Sequence, residues 1–142
     1  MAQNFLKDAT RAGLYHLPAS RQRQFLEMAG KAHLQLLGAE LNAGSGLGEI
    51  LAKLGGVLHF PIWYGANLDA LHDCLTDPDW QRGRGIAIQI SGLDGLRQHD
   101  PQAFSTLIEV LASAARERSA EKHPLWVLLG TPARGIAVLP EA

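Results

Sequence analysis

The sequence predicts an α/β protein with a small, mainly parallel β-sheet packed by helices. Apolar segments of strand length alternate along the chain with amphipathic segments of helical length, and this order is typical of parallel sheets. Residues 125–129 are apolar throughout, as expected of a strand covered on both faces. The chain has 142 residues, of which 46% are hydrophobic and 19% charged, and we expect a single domain spanning residues 1–142.

Residues 1–32 are expected to form an N-terminal extension that adds one strand and one helix. Residues 1–11 are polar and mixed, and they indicate a loose or weakly helical arm. Residues 13–17 suit a short strand. Ser20 stands at the N-cap position of a helix predicted over residues 21–32. The extension is expected to pack onto the rest of the chain through Leu14, Tyr15, Phe25, Leu26 and Met28.

The middle of the chain predicts a strand over residues 34–41 and a helix over residues 47–54, with Ser45 as a possible cap. The i, i+3, i+4, i+7 spacing of a buried helix face is formed by Leu47, Ile50, Leu51 and Leu54.

The last third of the chain predicts a strand, a helix and a second strand. Residues 85–91 place three isoleucines on one strand face. Asp100 suits the N-cap of a helix over residues 101–118, because a proline occupies its first position. After the strand at 125–129, residues 131–142 form a weakly patterned tail.

Composition excludes several functional classes. Cys74 is the only cysteine, so neither an intramolecular disulfide nor a cysteine-cluster metal site is expected. We find neither a secretory signal pattern nor an apolar run of membrane-spanning length, and we expect a cytoplasmic protein. A formal net charge of -1 argues against a broadly basic nucleic-acid binder.

Residues 67–76 predict a helix with an acidic face, and Asn67 is a favourable N-cap. At 100° per residue the helix has an apolar face, with Leu68, Leu71 and Leu75, and a polar face, with Asp69, Asp73 and Thr76. Like charges at i and i+4 cost a helix about 0.2–0.5 kcal/mol. This cost favours a functional role for the two aspartates, and the alternative is a solvated face that carries them by chance.

The acidic helix follows a loop that contains two large aromatics, Trp63 and Tyr64. Loops lie at the surface, and aromatic residues are enriched at interface hot spots. Alternatively, one of the two rings folds back over the core, and the sequence does not say which. Gly65 is expected to provide a tight turn between this loop and the helix.

The segment FPIWYGANLDALHDCLT, residues 60–76, resembles the signature of the barstar family, intracellular inhibitors of barnase-like ribonucleases. The order of helices and strands extends the resemblance over about residues 33–130. The resemblance implies that Asp73 enters a ribonuclease active site in place of a substrate phosphate, and that Asp69 pairs with a ribonuclease arginine. It places Trp63 where the family has a tyrosine that packs on the catalytic histidine.

The resemblance therefore implies an inhibitor that blocks an extracellular-type, barnase-like ribonuclease. His72 departs from the pattern, because the family has a tryptophan there. On the helix at 101–118, Glu117 approximates one of two family acids, while Ser113 replaces the other. Residues 1–32 have no family counterpart. The expected partner-binding residues are Trp63, Gly65, Asn67, Asp69, His72, Asp73 and Thr76.

Other functions have weaker support in the sequence. Asp69 and Asp73 have no visible nucleophile or oxyanion donor beside them, so we expect no catalytic residues and no enzyme activity. The nearby histidines show no zinc spacing, and we expect neither metal nor cofactor. Residues 82–84 supply only two basic side chains, too few for direct nucleic-acid binding. The open alternative is a protein-binding module of the same fold whose basic partner is not a ribonuclease.

Overall fold

The computed structural model describes residues 4–80, 85–120 and 123–141. Its four strands form one sheet in the order β1-β4-β3-β2, and all three strand pairs are parallel. The predicted α/β class is thereby confirmed. The strands are β1 (Leu14–His16), β2 (Gln35–Glu40), β3 (Ile86–Ser91) and β4 (Leu125–Leu129). The helices are α1 (Gln22–Lys31), α2 (Leu47–Val57), α3 (Leu68–Thr76), α4 (Asp94–His99) and α5 (Pro101–Ala120).

The sheet is covered on both faces, which we call the four-helix face and the α1 face. On the four-helix face, α2, α3, α4 and α5 pack against the isoleucines of β3 and the odd-numbered residues of β4. On the α1 face, α1 packs against Ala87, Trp126 and Leu128. Every residue of β4 is buried, as its uniformly apolar sequence predicts.

The N-terminal extension forms the predicted strand and helix. β1 pairs with β4, and α1 buries Phe25, Met28 and Ala29 against the α1 face. Phe5 adds to this packing from a 3-10 turn, with its ring centroid 5.6 Å from that of Trp126. Leu26, predicted to be buried, is instead 43% exposed, because it lies outside the stripe that α1 presents to the sheet.

The C-terminal tail is more ordered than its weak pattern suggests. His16, the last residue of β1, forms an isolated parallel bridge with Val138. Leu139 is buried, and its amide donates to the carbonyl of His16 at 2.9 Å. The tail thus closes the outer edge of β1.

Both predicted serine caps are wrong. A 3-10 turn, Ala19–Arg21, takes in Ser20 and precedes α1. Arg21 therefore occupies the N-cap, where its side chain, which can only donate, makes no capping bond. Helix α2 begins after Gly46, which has extended backbone, while Ser45 belongs to the preceding turn. The apolar stripe of α2 is nevertheless buried as predicted, except for the half-buried Leu47 at its start.

Helix α4 was not predicted, because its six residues bury only Gly95 and Leu96 and show no clear periodicity. Gly92 has φ +92°, and a Cβ there would collide with the Leu41 carbonyl, so glycine permits the tight exit from β3. Asp100 then separates α4 from α5. Its carboxylate accepts from the Ala103 amide at 3.1 Å, which confirms the predicted cap.

Candidate partner-binding surface

Helix α3 is fixed at its start by a side-chain cap and along its length by apolar packing. Asn67 Oδ1 accepts from the amide of Ala70 at 2.8 Å, as predicted. Leu71, Cys74 and Leu75 are fully buried against the core. The helix packs mainly against α5. One face of α3 is therefore held rigidly, and the opposite face is left to solvent.

The two aspartates of α3 lie on this solvent face. Asp69 and Asp73 are both exposed, one helical turn apart. Within residues 4–80, 85–120 and 123–141, neither carboxylate forms an ion pair. Asp69 lies in the first turn, where the helix dipole favours negative charge, whereas Asp73 lies too far along the helix to benefit. The two carboxylates therefore form an acidic surface with no cationic partner in the described chain.

The loop before α3 separates its two aromatic residues. The hydroxyl of Tyr64 donates to the Leu51 carbonyl at 2.7 Å, and its ring centroid lies 4.9 Å from that of Phe60. Burial raises the pKa of Tyr64 to about 12, so the phenol remains protonated. Trp63 is 54% exposed and Ile62 fully exposed. Tyr64 thus closes the core, while Trp63 is presented to solvent.

The turn between the loop and α3 is built differently from the prediction. The left-handed residue is Ala66, with φ 52°, and not Gly65. Gly65 matters instead because of a close approach, since a Cβ there would lie 3.1 Å from Nδ2 of Asn67. A side chain at this position would therefore press on the residue that caps α3.

His72 connects the acidic helix to α5. Its half-buried ring places Nε2 3.1 Å from Oε1 of Glu117, which is exposed. Thr76 donates its hydroxyl to the His72 carbonyl at 2.8 Å, so this side chain is tied to the helix backbone. The structure therefore places a third carboxylate, that of Glu117, beside α3.

Arg118, near the end of α5, is buried, which was not predicted. Its guanidinium donates to the carbonyls of Leu75 and His123, at 3.1 and 3.2 Å, and lies 5.2 Å from the ring centroid of Trp80. Burial lowers the pKa of this guanidinium. A signal was present, because Arg118 lies seven residues after the buried Leu111 and so continues the apolar stripe of α5.

The acidic surface can accept hydrogen bonds and bind positively charged groups. Cys74, directly after Asp73, is buried, and the pKa of its thiol is raised by burial and by the charges of Asp77 and Asp73. In the part of the chain that the structure describes, no group of three His, Cys, Asp or Glu side chains is placed to hold a metal. Residues 82–84, the short basic segment, lie outside the described residues.

An acidic helix face beside an exposed tryptophan, on a rigid α/β scaffold, is typical of a protein-binding domain. The chain belongs to the barstar family, because the family model described as barstar (barnase inhibitor) matches residues 35–130, more than half of the 142 residues. Members of this family are inhibitors and not enzymes. A search of curated proteins finds no match. None of the helices described is long and apolar enough to cross a membrane.

Proposed function

We propose that this protein inhibits a barnase-like ribonuclease by covering its active site with the acidic face of α3 and the adjacent Trp63. One observation carries the proposal: Asp69 and Asp73 are exposed and adjacent, and they have no cationic partner in the described chain. The family of barnase inhibitors gives the partner class.

The chemistry of ribonucleases explains why such a surface inhibits them. An enzyme that cleaves RNA must surround a phosphate with cationic donors, and arginine forks bind carboxylates with the same bidentate geometry as phosphates. We propose that Asp73 takes the place of a substrate phosphate and that Asp69 pairs with a second cation. Because both aspartates project from a packed helix, little backbone conformational entropy is lost on binding.

The remaining residues of the proposed interface each retain a group for a partner. Asn67 uses its Oδ1 as the helix cap, so its amide Nδ2 can still donate. Thr76 donates its hydroxyl to the helix, and the oxygen can still accept. Gly65 is exposed and has no side chain to cover its backbone groups. The imidazole of His72, which precedes Asp73, is partly exposed. Trp63 supplies the apolar contact area of an interface anchor.

The proposal is tested by titrating the protein into a panel of barnase-like ribonucleases while RNA cleavage and calorimetric binding are followed. We expect inhibition at one-to-one stoichiometry that weakens as salt is added. Asp73→Ala should weaken binding by about 2 kcal/mol or more, as for interface hot spots in general, without changing the fold. Glu27→Ala is the matched control, since it removes the same charge from a helix on the opposite face of the sheet.

The outcomes separate the parts of the proposal. Equal loss of inhibition in Glu27→Ala and Asp73→Ala would show a nonspecific charge effect and contradict the assigned site. Unfolding of Asp73→Ala would contradict its surface role. A folded wild-type protein that inhibits no enzyme of the panel would instead favour a basic partner that is not a ribonuclease.

A further inference from the structure

The strand β2 is an open edge of the sheet. It pairs with β3 on one side only, whereas the opposite edge, β1, is closed by the bridge between His16 and Val138. The amides of Gln35 and Leu41 donate towards β3, each at 2.9 Å. Because amide directions alternate along a strand, the N–H and C=O groups of Leu36, Gly38 and Glu40 point outward. These groups have no backbone partner in the described residues.

The edge lacks most of the features that prevent strand pairing, and its one charged side chain is that of Glu40 at its end. Protected edges commonly carry lysine, proline or a bulge, and β2, with the sequence QLLGAE, has none of these. Leu36 is 40% exposed on the α1 face, where it lies in register with Ala87. An apolar side chain thus accompanies the unpaired backbone.

A second exposed leucine borders the same edge. Gln22 of α1 exchanges hydrogen bonds with Gln89 of β3, at 3.0 and 2.6 Å, so this flank of α1 faces β3 and β2. Leu26 lies one turn after Gln22 and therefore shares this flank. The opposite flank faces the tail, through the bond from Gln24 to the Glu141 carbonyl at 3.4 Å.

We propose that a second copy of this chain occupies the edge. Two β2 strands pair antiparallel about a two-fold axis at Leu37, which joins two four-stranded sheets into one. Outward-pointing residues must form the hydrogen-bonded pairs, and an axis at Leu37 satisfies this condition by pairing Leu36 with Gly38 of the other copy.

Side-chain fit selects this register. Gly38 has open space where a Cβ would lie, and Leu36 of the second copy fills it on the same face. The two Leu37 side chains meet on the four-helix face as a close, non-hydrogen-bonded pair. An axis at Gly38, the neighbouring possibility, would instead place Leu36 against the carboxylate of Glu40.

Charge also favours antiparallel pairing of two copies. The exposed Lys31 and His33 precede β2, and the exposed Glu40 ends it. An antiparallel pair brings the basic end of each strand beside the acidic end of the other, and the two-fold axis repeats this contact. The interface is therefore self-complementary in backbone, apolar contact and charge.

Sedimentation velocity of the full chain over a wide concentration range tests the proposal. We expect the mass to approach twice the 15.4 kDa of the chain. Leu36→Lys, which adds a charge to the edge, and Gly38→Pro, which removes an outward amide but no bond to β3, should each give the monomer mass. Val138→Lys is the control, since it changes a 51% exposed aliphatic residue at the closed edge, and it should remain dimeric.

Cross-linking tests the register. Leu37→Cys should form an intermolecular disulfide across the axis, and Gln35→Cys should not, while the native Cys74 is buried and does not compete. A wild-type monomer at every concentration would overturn the proposal, as would a dimer that survives both Leu36→Lys and Gly38→Pro. Ribonuclease inhibition by Leu36→Lys should be unchanged, because no proposed inhibitory residue lies on β2.

Discussion

Two neighbouring aromatic residues, Trp63 and Tyr64, face opposite environments, and the polar atoms of their side chains explain the difference. A buried tyrosine requires a partner for its hydroxyl, and Tyr64 finds one in the Leu51 carbonyl, with Gly55 leaving room for its ring. Trp63 makes no comparable bond to any of the residues that the structure describes, and it is more than half exposed. A large apolar side chain that is exposed in this way is the kind of group that anchors an interface, and we propose this role for Trp63.

Substitutions at these two positions should therefore have opposite effects. Trp63→Ala should leave the free energy of unfolding within about 0.5 kcal/mol of wild type and weaken ribonuclease binding by more than about 1 kcal/mol. Tyr64→Phe should lower the free energy of unfolding by about 0.5–1.5 kcal/mol, because the hydrogen bond from its hydroxyl to the Leu51 carbonyl is lost, and leave binding nearly unchanged. Urea unfolding and calorimetric binding of both variants provide the comparison. The reverse pattern would show that Trp63 stabilises the fold and that Tyr64 contacts the partner.

At the scale of the element, α3 depends on its surroundings. A helix of nine residues with two adjacent like charges is marginal in isolation, and most of its stability must come from tertiary packing. Asn67 holds its first turn, and Arg118 holds its last turn through the Leu75 carbonyl. Because the same guanidinium bonds the His123 carbonyl, it also ties α3 to the segment that leads into β4.

Arg118→Met should consequently destabilise the protein through α3. The substitution keeps an apolar stem but leaves the Leu75 and His123 carbonyls without their donors, at a cost of about 1–3 kcal/mol. Hydrogen exchange of the α3 amides should accelerate more than that of α2. Arg116→Met, an exposed change on the same helix, should stay within about 0.5 kcal/mol of wild type. Equal stability of the two variants would contradict the anchoring role of Arg118.

The elements also show what can be predicted from sequence. Strands and long helices were predictable because periodicity and caps such as Asn67 and Asp100 are local signals. Helix α4 was not, because it is short and depends on glycines that let the backbone approach the β2–α2 connection. The acidic face comes from one contiguous segment and was visible in the sequence. Glu117 and Arg118 are brought beside it by the packing of α5 on α3. The spacing of Arg118 indicates that it is buried, but no local pattern reports which helix it contacts.

At the scale of the whole molecule, the net charge of -1 conceals a strong segregation of charge. Residues 1–33 contain five Lys or Arg and two Asp or Glu. The remaining residues contain eight Lys or Arg and twelve Asp or Glu. The acidic part includes α3, and much of the basic part packs on the other side of the sheet. A basic partner would therefore be attracted to the part of the molecule that carries the proposed interface, and this attraction should weaken with salt.

The basic extension also completes the fold, because it covers the apolar side chains of Ala87, Trp126 and Leu128. Phe25→Ala in the full chain should lower the free energy of unfolding by about 3–5 kcal/mol, whereas Leu26→Ala, at the exposed neighbour, should cost less than about 1 kcal/mol. Deleting residues 1–32 should lower the thermal midpoint further and expose an apolar sheet face to aggregation. Unchanged thermal unfolding after this deletion would show that the core is stable without the extension. The interior position of Trp126 argues against that result, since an uncovered strand would leave this large ring in water.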